Sequence, residues 1–166
     1  MCKDCCSEET TSKLGSPGII DNSEYILNVV FHPDSYKDGI YSPDPDQLKD
    51  EEFSVARLSY VSEKIVRDQV LTPRTKSGQT YVGILLAQAG RIRSISFAPE
   101  PTHRVFCVVD APEPNYVGHG VVGLSRPLRG TKKWSRTQNV LAAVIGELAV
   151  AFEEAGMVTI ENCFAS

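Results

Sequence analysis

The chain has no run of about 18 apolar residues, which excludes a helix built to cross a bilayer. Its opening residues, MCKDCCSEETTSKLGSPG, lack the apolar stretch of a secretory signal. Histidine is scarce, with single residues at 32, 103 and 119, so no paired Cys/His set of the kind that closes a structural zinc site can be written. No G-x-S-x-G elbow is present, and Gly123 to Gly130 is too long a gap for a phosphate-cradling Walker loop. Net charge is only −4, which gives no global attraction to nucleic acid or anionic lipid. Internal repeats and low-complexity tracts are absent. The expected compartment is the cytoplasm, with no membrane contact and no cofactor.

What is present is a core. Hydrophobic residues make up 42% of the 166, enough for one domain. Residues 1–23 are polar, broken by Gly15, Pro17 and Gly18, and without helical or strand period; they read as a flexible, cysteine-bearing tail. Tyr25 to Phe31 (YILNVVF) reads as a buried strand. Residues 32–52 hold seven acids against two lysines, with prolines at 33, 43 and 45, and read as a long acidic loop. Phe53 to Tyr60 reads as a strand, and Ser62 caps a short helix that Pro73 stops. Tyr81 to Ala87 and Arg91 to Phe97 read as a hairpin. His103 to Asp110 reads as a central strand because Val105 to Val109 is apolar on both faces. Val121-Val122 mark another strand.

Ser135 and Gln138 fit a capping box ahead of a long helix whose stripe is Leu141, Val144, Ile145, Leu148 and Phe152, ending at Gly156. Val158 to Phe164 adds an edge strand or trails off. Strands and helices do not alternate, so the expected class is α+β. It would have a mixed or antiparallel sheet of about five to six strands, one long C-terminal helix packed on it and one short helix. The domain is expected over 24–160, with a short tail over 161–166.

Three constellations could carry chemistry. Cys2, Cys5 and Cys6 are soft ligands close together, a candidate metal set that lacks a second pair. An odd count of five cysteines at uneven spacing is a poor disulfide framework, and Cys107 reads as a small buried hydrophobe. The second set is His32, Asp110 and His119, with Asp34 and Asn115 nearby. If the first strand and the 103–110 strand were parallel neighbours, these groups would share one sheet end, and a histidine beside a carboxylate can act as a general base. Gly118 and Gly120 flank His119 and permit close approach. The alternative is that these groups cap turns. The third set is Arg126, Arg129, Lys132, Lys133, Trp134 and Arg136, five cations and no acid in eleven residues. Such a segment suits an anion or an acidic partner, or else pairs with the acidic loop of the same chain. The acidic loop itself lacks the spacing of a calcium-binding EF-hand.

The phrases His32-Pro33-Asp34, Asp38-Gly39, Ser42-Pro43, Phe53-Ser54-Val55 with Arg57, and Asn115 with His119 resemble a pattern in small uncharacterised bacterial proteins. The resemblance covers roughly residues 25–125 and carries no activity with it. It implies that His32 and His119 belong to one site.

The leading expectation is a non-enzymatic accessory or protein-interaction domain of adaptor, regulator or inhibitor type. It would meet another protein through the charged loops 34–52 and 126–136. The alternatives are a small hydrolase-like enzyme using His32, Asp110 and His119, and a phosphate or nucleic-acid binder using the basic segment.

Overall fold

The segment YILNVVF is buried along nearly its whole length because structure covers both of its sides. In the computed structural model, which describes residues 5–9, 15–97, 100–128 and 138–165, it forms β1 (Tyr25–His32). A small hairpin follows, β2 (Tyr36–Lys37) and β3 (Ile40–Tyr41), then helix α1 (Pro45–Lys49) and β4 (Phe53–Arg57). The chain continues through α2 (Glu63–Val66), a π-helical turn (Arg67–Leu71) and α3 (Thr72–Lys76) into β5 (Thr80–Gln88). Then come α4 (Ala89–Arg93), β6 (Ser96–Phe97), β7 (Glu100–Arg104), β8 (Phe106–Asp110) and β9 (His119–Leu124). The last elements are α5 (Gln138–Glu153) and α6 (Ile160–Phe164).

The main sheet has five strands in the order β5-β1-β4-β9-β8, every neighbouring pair antiparallel. β2-β3 and β6-β7 form two small separate sheets. The class is α+β.

Side-chain alternation along the strands gives the sheet two apolar faces. One carries Ile26, Val30, Phe53, Val55, Val108, Val122 and Leu124, and packs against Ile92 of α4 and Val144, Ile145, Leu148 and Phe152 of α5. Phe152 meets Tyr41 and Phe53 edge-on or tilted. The other face carries Leu27, Val29, Phe31, Ala56 and Ile84, covered by Val66, Tyr116 and Ile160. Each fully buried side chain of this size contributes about 1.5–3 kcal/mol.

Several expectations need correction. Residues 34–52 are not a structureless loop. Asp38 and Gly39, both at positive φ, turn the β2-β3 hairpin, and the Asp44 carboxylate accepts from the Asp46 N–H to cap α1. Pro73 does not end its helix, because the wide π turn ahead of it admits the ring and leaves Pro73 in the first turn of α3. No hairpin follows β5, since Ala89–Arg93 is helical and Ser96–Phe97 pairs with β7 instead. One long C-terminal helix with a single short companion does not describe the molecule. Helical segments are several and mostly short, and the last is Ile160–Phe164, preceded by an antiparallel bridge from Val158 to Ile84. Ser135 of the expected capping box lies outside the described residues.

The apolar run 105–109 is not central. β8 is an edge strand, and the N-terminal segment is what covers it. Cys5 is disulfide-bonded to Cys107, and the Glu8 carboxylate accepts the Val108 N–H at 2.6 Å while pairing with Arg93 and Arg104. An uncovered edge would present a row of free amides. The described parts of residues 1–23 are therefore built into the domain. Cys5 and Ile20 are each 1% exposed, and Asn22 and Glu24 accept backbone hydrogen bonds from Gly90 and Ala89.

Candidate functional site

β1 and β8 run in opposite directions, which divides the expected catalytic trio. His32 ends β1 at one end of the sheet, while Asp110 ends β8 and His119 begins β9 at the other. Asp110 and His119 also sit on opposite faces: Asp110 pairs in register with Gly120, and His119 with Ala56. Asp34 is committed to Arg74 and Gln79. Asn115 occupies a positive-φ turn position. The close approach allowed by the two glycines serves the chain itself. A Cβ on Gly118 would stand 2.8 Å from the Tyr60 carbonyl oxygen, and one on Gly120 3.1 Å from that of Val109.

Sequence reasoning assigned no role to Arg57, which organises the end of the sheet where Asp110 lies. Its side chain is 1% exposed. It grips Glu24 with two bonds, Nη2 to Oε1 at 2.6 Å and Nε to Oε2 at 2.9 Å. Nη1 donates to Asp110 Oδ1 at 3.0 Å and to the Gly18 carbonyl at 2.6 Å. Ser16 Oγ donates to the other Asp110 oxygen, and the guanidinium lies 4.6 Å from the centre of the Tyr60 ring. Burial works against the charge of Arg57, but the bonds and charge of Glu24, then of Asp110, outweigh it and hold the guanidinium above its ordinary pKa. The planar fork satisfies two carboxylates and a carbonyl together, which an ammonium could not.

Around this locked network lies exposed apolar surface. Of the seven large apolar side chains exposed among the described residues, Ile19, Tyr25, Tyr60 and Val117 belong to this one end. Ile19 follows the Gly18 carbonyl, Tyr25 precedes the Ile26–Arg57 pair, Tyr60 carries the guanidinium, and Val117 precedes Gly118.

On the face away from α5, His119 meets Ser54. Ser54 Oγ and His119 Nε2 are 2.5 Å apart, and His119 Nδ1 is 2.6 Å from the Ala111 carbonyl oxygen. A carbonyl can only accept, so Nδ1 carries the proton and Nε2 is left to accept from the serine. Glu113 Oε1 lies 3.6 Å from Nδ1, and the Tyr116 ring stacks at a tilt 5.0 Å from the imidazole. Ser54 is exposed while its histidine is buried. A cleft opens beside Ser54, lined by apolar Val29, Phe31 and Val70 and by polar Asp34, Asp44 and Arg74.

The cleft exists because β1 and β4 part company. Their register ends at Leu27–Ala56. Beyond it Asn28 bridges the two layers, donating from Nδ2 to the Ser54 carbonyl and accepting from the Tyr41 hydroxyl. Burial pushes the Tyr41 hydroxyl well above its usual pKa, which keeps it a donor. Arg57 N–H points to β9, so antiparallel alternation turns the Ser54 N–H toward β1 and into the gap.

The remaining predicted residues divide differently. Cys5 is in a disulfide and is not a thiolate ligand, Cys2 lies outside the described residues, and no metal-binding group of side chains occurs among the described residues. Cys107 is a disulfide partner rather than a lone small hydrophobe. In the basic segment Arg126 is described and exposed, while Arg129, Lys132, Lys133, Trp134 and Arg136 lie outside the described residues. No helix among the described residues is long and apolar enough to cross a membrane. The chain matches no family model, no curated protein and no solved structure.

Proposed function

We propose that this chain is an accessory, protein-interaction domain whose principal contact is the end of the sheet organised by Arg57. The observation that carries this reading is that four exposed apolar or aromatic residues, Ile19, Tyr25, Tyr60 and Val117, lie at the end of the sheet where Arg57 is locked by Glu24 and Asp110, Tyr60 touching its guanidinium. Exposed apolar and aromatic groups held on a stiff frame are what a binding hot spot needs, because little side-chain freedom is lost on docking. The partner surface is apolar with hydrogen-bond acceptors for the tyrosine hydroxyls.

The charged segment 34–52 and the described start of the basic segment, residues 126–128, follow β1 and β9 at the opposite end of the sheet. In this reading they steer the approach of a charge-complementary protein and make a secondary contact. Part of the acidic charge is already spent inside the chain, on Arg74 by Asp34 and on Lys49 by Asp46. Ile40, 67% exposed at the hairpin beyond Asp38-Gly39, is the apolar point of that second surface. A cytoplasmic location remains part of the proposal, although the Cys5–Cys107 bond removes the argument that the cysteines form no disulfide.

Affinity purification of the full chain from its own cells tests the proposal. The wild type should retain a protein partner in fixed stoichiometry. Tyr25→Glu with Val117→Glu should keep its circular dichroism and lose that partner by at least about 10-fold in affinity. Equal retention by the folded double variant, or no stoichiometric partner at all, overturns the reading.

A further inference from the structure

The interaction surface leaves the Ser54–His119 pair unused, and we infer that this pair is a nucleophilic acyl-transfer site for small esters with a short apolar acyl group. The inference does not rest on the partner proposal, and the two fail separately.

Geometry carries it. A serine hydroxyl is a weak nucleophile until a base accepts its proton. Here the base stands within hydrogen-bond reach and in the required tautomer, because the Ala111 carbonyl fixes the proton on Nδ1. The nucleophile faces solvent while Tyr116 shields the histidine from it. The cleft beside Ser54 offers Val29, Phe31 and Val70 to an acyl chain, and Asp34, Asp44 and Gln47 line it as well, so the acyl group it takes is short. The Ser54 N–H, turned into the gap between β1 and β4, points where a carbonyl oxygen would become negative. A serine on the sheet merely to satisfy His119 would need neither this opening nor this exposure.

The chemistry balances with water as the only co-reactant. Ser54 Oγ forms a bond to the ester carbonyl carbon as its proton passes to His119 Nε2. The tetrahedral adduct collapses by breaking the bond to the alcohol oxygen, which takes the proton from His119. Water then adds to the acyl-serine, giving its proton to His119. Release of the carboxylic acid returns that proton to Ser54 Oγ, so ester plus water yields acid plus alcohol.

The probe is p-nitrophenyl acetate, with release of p-nitrophenolate followed by absorbance and the acetylated residue located by peptide mass spectrometry. The acetyl group is expected on Ser54. Ser54→Ala, a mild change at an exposed strand position, should remove that adduct. Both Ser54→Ala and His119→Gln should slow hydrolysis by roughly 10²–10⁴-fold while retaining the wild-type circular dichroism. Mapping the adduct on the wild type keeps the test decisive if His119→Gln does not fold. Acetylation confined to lysines, or hydrolysis by Ser54→Ala within about threefold of the wild type, overturns the inference.

Discussion

Replacing Arg57 by methionine should lower the unfolding free energy by about 3–5 kcal/mol, because it breaks a buried ion cluster by removing one partner. Asp110 has no side-chain exposure and Glu24 only 16%. Without the guanidinium, Asp110 keeps only its bond from Ser16, and the Gly18 carbonyl loses its donor. The loss comes from stranded charge, not from missing volume, and a second variant separates the two. Combining Arg57→Met with Glu24→Gln and Asp110→Asn should recover half or more of the lost stability. Arg57→Lys should still be costly, since one ammonium cannot reproduce the two-pronged grip on Glu24 together with the bond to Asp110. Urea denaturation followed by circular dichroism measures all of these. A loss below about 1 kcal/mol for Arg57→Met would show that water already satisfies the cluster.

Removing the Cys5–Cys107 bond should cost about 3–5 kcal/mol, on the scale of a cross-link joining residues 102 apart. A loop of that length leaves the unfolded chain much freer once it is cut. The native state should change as well. The disulfide holds the N-terminal segment over β8, where Glu8 accepts the Val108 amide. Cys5→Ala with Cys107→Ala should therefore speed hydrogen exchange at Val108 and increase self-association through the freed edge. Reduction of the wild type should reproduce both effects. Unchanged stability and exchange in the double variant would show that Glu8, Arg93 and Arg104 fix the segment without the covalent bond.

Local chemistry was legible where one element explains its own residues. The two-sided apolar pattern of 25–31, the strand at 81–87 and the Ser62 cap all follow from alternation and capping, and each is found. What escaped were features made by long-range partners. The run 105–109 looked central because both its faces are apolar, yet one is covered by the helices and the other by Cys5, a residue 102 positions away. Residues 1–23 carry no periodic signal, and those of them that are described are held by individual bonds to distant groups, such as Glu8 to Val108 and Asn22 to Gly90.

The candidate site was half legible. His119 attracted notice as a histidine between glycines, but pairing it with His32 and Asp110 assumed parallel strands. Antiparallel order sends His32 to the far end and brings in Ser54, a diagonal neighbour across the β4-β9 pair. Arg57 in the phrase FSVAR carried one usable signal: a cation placed in step with Phe53 and Val55 on a buried face must have carboxylate partners.

Hydrogen-exchange mass spectrometry on the chain, free and bound to its purified partner, tests the central claim most directly. The proposal predicts the strongest slowing of exchange across residues 18–26, 57–61 and 111–119, the segments around Arg57. Protection confined to 34–52 and 126–136, with those three segments unchanged, would contradict it.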